Sequence, residues 1–299
     1  MHINVRNRVE KINLEQEVDL AEFSTMKSGG KADLCCHPTD LEGLRVALAF
    51  ARDASLPVTV LGGMSNVLIS DGGIEGLVVR TTDMSKVTRR GNLLSALAGA
   101  RLDDVVDLAI EEGLGGLEHF YGIPGTIGGA LRGNAGAHGH EISEKVLFVD
   151  LLDPEGNLLR KRVVPAEFSY RTSPFKGRDD LILHEIHLAL DPVRDTHALK
   201  NIALGHKRSR IERRQYEYPS LGSIFKNPPG LKAGALLEDL KGTRIGGALI
   251  APHHANMIIN ADGRATSQDV RNLILLAKER VFTAHGITLE EEIVYLGRW

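Results

Sequence analysis

The sequence predicts a chain in which helices and strands mix without regular βαβ alternation, divided into two or three domains and organised around two glycine loops. Three observations carry this. Its 299 residues exceed what one core usually supports, near ~250 residues. Segments of helical and strand periodicity follow one another irregularly. A large share of the 32 glycines lies in Gly62-Gly63-Met64-Ser65-Asn66 and in Gly122-Ile123-Pro124-Gly125-Thr126-Ile127-Gly128-Gly129-Ala130, which continues to Asn134-Ala135-Gly136-Ala137. Glycine allows positive φ and lets a ligand approach the main chain without meeting a Cβ. Two such loops beside apolar runs predict one large ligand held by peptide N–H groups, with a phosphate-bearing cofactor as the natural candidate.

In chain order, residues 1–23 read as a short helix and an extended lead-in, and residues 24–34 as a turn feeding a strand. Thr39-Asp40-Leu41-Glu42 is a capping-box pattern opening a helix through Ala54, with Leu41, Leu44, Leu48 and Ala51 on one face. After Pro57, residues 58–61 form a strand that runs into the first glycine loop. Residues 67–70 and 77–80 are strands separated by Asp71-Gly72-Gly73, a hairpin signal. Residues 102–112 are a helix with Gly113 at its end, and residues 145–190 are strand-rich. Asp191-Pro192 is the candidate boundary before a basic helix over 196–214, a turn over 218–222, a strand over 255–260, a long helix over 267–285 and a last strand over 293–296.

Composition narrows the function. With 42% hydrophobic residues, 25% charged residues and a net charge of −3, there is no general electrostatic case for nucleic acid or an acidic membrane. The basic run His206-Lys207-Arg208-Ser209-Arg210 with Arg213-Arg214 lacks the interleaved aromatics of a nucleic-acid site but could meet diphosphates. The only cysteines, Cys35 and Cys36, are neighbours that cannot staple distant segments. No metal-ligand spacing surrounds them, so no metal is expected, and a reducing cytoplasm fits. Neither an apolar leader nor a stretch of roughly 18 apolar residues is present. G-x-G-x-x-G is absent and no Gly-Lys-Ser/Thr follows a glycine loop, which excludes a Rossmann fingerprint and a P-loop.

Seven motifs stand in order along nearly the whole chain. They are Leu61-Gly62-Gly63-Met64-Ser65-Asn66, Ile123-Pro124-Gly125-Thr126-Ile127-Gly128-Gly129, Asn134-Ala135-Gly136-Ala137, Ser169-Tyr170-Arg171, Gly222-Ser223-Ile224-Phe225-Lys226-Asn227-Pro228, His254-Ala255-Asn256 and Leu289-Glu290-Glu291-Glu292. In these the sequence resembles the MurB family, the UDP-N-acetylenolpyruvoylglucosamine reductases, flavoenzymes of peptidoglycan precursor synthesis. The resemblance implies an α+β fold: a two-subdomain FAD-binding module of the vanillyl-alcohol-oxidase (PCMH-like) type over 1–80 and 81–191, then an α+β substrate domain over 192–299 whose last strand returns to the first subdomain. It implies FAD contacts at Leu61, Gly62, Gly63, Ser65, Asn66, Ile123, Pro124, Gly125, Thr126, Gly128, Gly136 and Ala137.

The implied reaction is NADPH-dependent reduction of an enolpyruvyl ether of a UDP-sugar. Hydride would pass from NADPH to FAD and from the flavin to the double bond, so that negative charge spreads into the substrate carboxylate. Arg171 matches the family's cation for that charge, Ser223 its proton donor and Glu292 its catalytic carboxylate, with Glu290 the fallback and Glu291 least suited. Tyr170, Asn227 and His254 match substrate contacts, and Gln215 lies near another. Met64 stands where a third small residue is common, and Glu291 replaces a frequent proline. The chain resembles the shorter subtype, without the extra lobe that carries a covering tyrosine. Taken singly, Arg171 reads as a salt-bridged residue, Ser223 as a turn hydroxyl and Glu292 as part of a solvated face. The alternatives are a flavin-dependent alcohol oxidase of the same fold and a non-catalytic nucleotide-sugar-binding relative.

Overall fold

The structure, a computed structural model, describes residues 12–299. The part of the expected leading helix over residues 1–11 lies outside them. Within the described lead-in, Glu15–Asp19 is a strand and Leu20–Glu22 a single 3₁₀ turn capped by the Asp19 carboxylate. By contact the chain divides into two units. The first takes the described residues up to Gln16, Leu34–Gly63 and Gly76–Arg208; the second takes Glu17–Asp33, Met64–Glu75 and Ser209–Trp299.

In the first unit the helix Leu41–Asp53 buries Leu44, Val46, Ala47, Leu48 and Ala51. Its N-cap is Asp40, whose carboxylate accepts from the Gly43 N–H at 2.8 Å, rather than the expected Thr39. An anionic acceptor also suits the positive end of the helix dipole. Val58–Leu61 lies parallel to Ile74–Arg80, from Val58 opposite Leu77 to Leu61 opposite Arg80. A five-stranded antiparallel sheet follows in the order Leu158–Arg162, Val146–Leu152, Ile182–Ala189, Leu93–Leu97, Val87–Arg90. Alternating residues such as Leu94, Ala96, Ile186 and Leu188 pack with Val105, Ala109, Phe120, Ile127 and Leu131 in one core. Each large apolar side chain so buried contributes roughly 1.5–3 kcal/mol before chain entropy is counted.

Two expectations are corrected here. The second glycine stretch is not loop throughout, because Ile127–Arg132 is a helix whose N-cap Thr126 accepts from the Gly129 N–H at 3.2 Å. Residues 67–70 and 77–80 do not form a hairpin. Ile74–Arg80 pairs with Val58–Leu61 in the first unit, whereas in the second Val67–Ile69 pairs in parallel with the last strand, Val294–Leu296. Within the second unit, the turn is tied down by the Asp71 carboxylate, which accepts from the N–H groups of Ser267 and Gln268 at 2.9 Å each. The turn chemistry was legible, but these nonlocal bonds set where its strands go.

The second unit carries an antiparallel sheet in the order Ser220–Ser223, Met257–Ile259, Ala248–Ile250, Arg244–Ile245, so the expected turn over 218–222 runs into a strand. Its core joins Leu221, Ile224, Phe225 and Ile258 to Val270, Leu273, Ile274, Ala277 and Val281 of the helix Ser267–His285. That helix opens on a reciprocal Thr266–Asp269 capping box and ends at Gly286 with φ +67°. No helix among the described residues is long and apolar enough to cross a membrane.

His184, on the inner face of Ile182–Ala189, is 7% exposed, and its Nδ1 has no hydrogen-bond partner among the described residues. Burial pushes its pKa below the ordinary value of 6.5. The unfolded chain therefore binds this proton at a higher pH than the folded one, and stability falls as pH drops below about 6.5. Replacing His184 with Leu is expected to reduce the loss of Tm between pH 7 and pH 5, measured by thermal denaturation; an unchanged slope would contradict the assignment.

Candidate active site

The strand Val58–Leu61 delivers Leu61, 2% exposed, directly into the first glycine loop. There the two glycine stretches touch. A Cβ on Gly62 would lie 2.5 Å from Thr126 Oγ1, and one on Gly63 would lie 2.9 Å from the Gly125 Cα. Gly125 has φ +117°, its carbonyl accepts from the Leu102 N–H at 3.1 Å, and Ile123 donates to the Phe120 carbonyl at 3.1 Å, fixing Pro124 between them. Gly128 donates to the Ala98 carbonyl at 2.9 Å, and a Cβ there would meet Ala98 Cβ at 2.8 Å. Gly63 and Gly128 lie against backbone atoms and Gly62 against the Thr126 side chain, each too close for a Cβ.

Further along the first unit, Gly136 and Ala137 form a two-residue strand against His140–Glu141. Tyr170 and Arg171 form the tip of a turn closed by reciprocal bonds between Ser169 and Thr172 at 3.1 and 2.9 Å. Arg171 has φ +57°, a conformation costing roughly 1–2 kcal/mol for a residue with a Cβ. Its guanidinium donates to the Gly136 carbonyl at 3.0 Å and lies 5.2 Å from the Tyr170 ring centroid. Asn134, fully buried and also at positive φ, holds the same turn by donating to the Ser169 carbonyl at 3.0 Å and binds Glu141 at 2.7 Å. The cation is thus tied to the Asn134–Ala137 stretch from both sides.

In the second unit, Ser223 ends its strand immediately after a β-bulge: Ser220 faces Ile259 and Ser223 faces Met257. Gly222, φ +71°, occupies the bulge and breaks the alternation, leaving Ser223 exposed while Ile224 and Phe225 are both buried. The acidic tail runs alongside. Lys226 N–H donates to the Glu290 carbonyl at 2.9 Å, Glu292 N–H to the Ile224 carbonyl at 2.7 Å, and Asn66 Nδ2 to the Glu292 carbonyl at 3.1 Å. Glu292 and Ser223 are therefore neighbours. The Glu290 carboxylate pairs with Lys226 and the Glu291 carboxylate with Lys278 at 2.8 Å, so both are engaged elsewhere. Met64 takes φ +48° and is 3% exposed, adopting the conformation a smaller residue would take more cheaply. Asn227 Oδ1 accepts from the Ala233 N–H at 3.0 Å. The His254 Nδ1 is buried without a partner among the described residues, and burial, the largest cause, pushes this histidine's pKa below its ordinary value.

Residues 214–296 match the family model for the C-terminal domain of UDP-N-acetylenolpyruvoylglucosamine reductase, and residues 32–161 match that for an FAD binding domain. The chain is 39% identical over 287 residues to a UDP-N-acetylenolpyruvoylglucosamine reductase of Synechococcus, covering 95% of this chain and 91% of that one. It is 40% identical over 282 residues to one from Caldicellulosiruptor bescii, covering 94% and 90%. The chain belongs to the UDP-N-acetylenolpyruvoylglucosamine reductase family. The solved MurB reductase of Thermus caldophilus superposes with a TM-score of 0.80 at 30% identity, covering 96% of this chain and all of that one. The fold is accordingly that of the family, α+β with an FAD binding domain.

The residues of this family member fit FAD. The contact between its glycine loops leaves no room for a Cβ at Gly62 or Gly63, and Asn134 Oδ1 is a buried acceptor without a partner among the described residues. Sequence reasoning quoted Asn134 within a motif but gave it no role; its polarity between glycines was the available signal. The bulge at Gly222 was likewise missed as a device for aiming Ser223. The basic run is partly neutralised, since Lys207 pairs with Asp103 at 3.1 Å in the first unit and Arg214 pairs with Glu217 in the second. Cys35 and Cys36 are free and fully buried, and burial raises their thiols to about 11 and about 12, which leaves little thiolate for covalent chemistry.

A methyl group at Gly222 would meet nothing within 4 Å, so Gly222→Ala isolates the cost of the backbone conformation. The variant is expected to lose roughly 1–2 kcal/mol in urea unfolding. Unchanged stability would contradict the left-handed bulge.

Proposed function

We propose that this FAD-dependent oxidoreductase reduces UDP-N-acetylglucosamine enolpyruvate to UDP-N-acetylmuramate in peptidoglycan precursor synthesis, with NADPH as reductant and the cytoplasm as its compartment. The observation that carries the reading is the Arg171 guanidinium bonded to the Gly136 carbonyl: a cation fixed on the flavin-binding stretch, where charge develops on a substrate carboxylate.

FAD, when bound, supplies hydride uptake and hydride donation. The glycines of the two loops expose backbone to it, and Asn134 offers a buried acceptor beside Gly136. Arg171 stabilises the anion formed at the substrate carboxylate, and its planar fork matches that group bidentately. Ser223 delivers the proton to the carbon beside the carboxylate. A serine hydroxyl is a weak acid, so the step relies on Glu292, whose backbone is bonded next to Ser223, to polarise the substrate or relay the proton. Tyr170, Asn227 and His254 hold the rest of the substrate, with His254 neutral near pH 7 because burial disfavours its cation. The division into flavin-binding residues 1–80 and 81–191 and substrate-binding residues 192–299 belongs to this reading; the FAD match over 32–161 and the C-terminal match over 214–296 support the order of its parts but not the boundary at 80. The short subtype, without a covering tyrosine lobe, is part of it as well.

Purified protein is expected to be yellow, to bleach with NADPH and to recover colour on adding the UDP-sugar enolpyruvyl ether. Glu292→Gln is expected to slow the recovery about a hundredfold or more while bleaching persists. Glu290→Gln, whose carboxylate is engaged by Lys226, is expected to change it less than threefold. A larger effect from Glu290→Gln than from Glu292→Gln would make Glu290 the working carboxylate. Failure of the wild-type flavin to be reoxidised by the UDP-sugar would overturn the function.

A further inference from the structure

The segment after Ser223 leaves its sheet at the bulge, and its backbone groups still need partners. Those of Ile224 and Lys226 divide regularly on one side, where the Ile224 carbonyl and the Lys226 N–H bond to residues 292 and 290 of the acidic tail. On the other side stands Asn256, 5% exposed. Its main-chain carbonyl accepts from the Ile224 N–H at 3.0 Å. Its side-chain Oδ1 accepts from the Phe225 N–H at 2.9 Å, and its Nδ2 donates to the Phe225 carbonyl at 2.8 Å. One amide side chain thus takes both backbone groups of Phe225, as an adjoining strand would, while Phe225 bridges Glu291 across the opposite edge. Only a side chain carrying one donor and one acceptor can do this, and at this burial water does not replace it.

We infer that Asn256 is a positioning residue for proton delivery: it locks the backbone two residues beyond Ser223 between itself and the Glu290–Glu292 tail, and so sets where the Ser223 hydroxyl stands relative to Glu292. The inference rests on the proposed reductase reading for the roles of Ser223 and Glu292; the geometry of the clamp does not. Replacement by leucine, close in volume, would leave the Phe225 N–H and carbonyl without partners and let the segment shift. Replacement by aspartate is the more telling change. A protonated carboxyl keeps one donor and one acceptor, whereas the carboxylate is acceptor-only and faces the Phe225 carbonyl. Burial raises a carboxyl pKa toward neutrality, so the aspartate variant should regain function on acidification.

The test uses the full-length flavoprotein with its FAD, and measures by stopped flow the bleaching by NADPH and the reoxidation by the UDP-sugar enolpyruvyl ether, from pH 6 to pH 8.5. For Asn256→Leu, bleaching is expected within twofold of wild type, while reoxidation at saturating substrate falls at least tenfold and substrate affinity, read from the flavin spectrum, changes less than threefold. For Asn256→Asp, the ratio of its reoxidation rate to the wild-type rate is expected to rise at least fivefold from pH 8.5 to pH 6, with no such rise for leucine. Wild-type reoxidation in the leucine variant, an equal fall in both half-reactions, or a pH-independent aspartate ratio would each overturn the inference. Should leucine prevent folding, the aspartate profile decides alone. A wild-type flavin that the UDP-sugar does not reoxidise would instead overturn the reductase reading.

Discussion

The contact on which the flavin-binding unit depends is the close approach of two loops: Gly62 lies against the Thr126 side chain and Gly63 against the Gly125 backbone, with less than a methyl group's clearance. Two loops separated by about sixty residues can meet this closely only if the first carries no Cβ at 62 or 63. Much of the first unit serves to hold that meeting. The strand Val58–Leu61, paired in parallel with Ile74–Arg80, delivers one loop, and bonds from Leu102, Ile127 and Gly128 to residues 98–125 secure the other. The apolar core under the five-stranded sheet supplies the free energy, and the glycines supply the geometry.

The groups proposed to be reactive in each unit are fixed chiefly by backbone bonding. Arg171 is carried on a strained turn, and the guanidinium–carbonyl bond to Gly136 together with the Asn134 bond to Ser169 offsets that strain. Ser223 is turned out by a bulge, and Glu292 is placed by its main-chain N–H rather than by its carboxylate. A cation held in advance suits chemistry whose difficult step is the appearance of negative charge, because no reorganisation is then required as the charge forms. The price is conformational, a left-handed arginine and a left-handed methionine at 64, and such costs concentrate where function requires a particular geometry.

Much of this was legible in the sequence. The long helix from Ser267 to His285 and its closing glycine followed from local chemistry alone, as did the strand from Val58 to Leu61, whereas the Thr266–Asp269 capping box was not read. The glycine stretches announced a ligand, and their order with the other motifs announced the family. What could not be read locally was pairing. Asp71-Gly72-Gly73 has the composition of a hairpin, yet its flanking strands join different partners, because nonlocal bonds such as that from Ser267, 196 positions from Asp71, outweigh a turn preference. The helix from Ile127 to Arg132 was hidden by its two glycines, of which Gly128 packs against Ala98. The family match ranked Glu292 ahead of Glu290, which shares its face if the tail is a strand; the ion pair of Glu290 with Lys226 could not be read from the sequence.

We propose that the meeting of the two glycine loops makes the flavin site. Titration of FAD into apoprotein, followed by quenching of flavin fluorescence, tests it most directly with Gly62→Ala, whose methyl would lie 2.5 Å from Thr126 Oγ1. FAD affinity is expected to be at least tenfold weaker than wild type and partly restored when Thr126→Ala is added to make room. An alanine variant that binds FAD as tightly as wild type would contradict it.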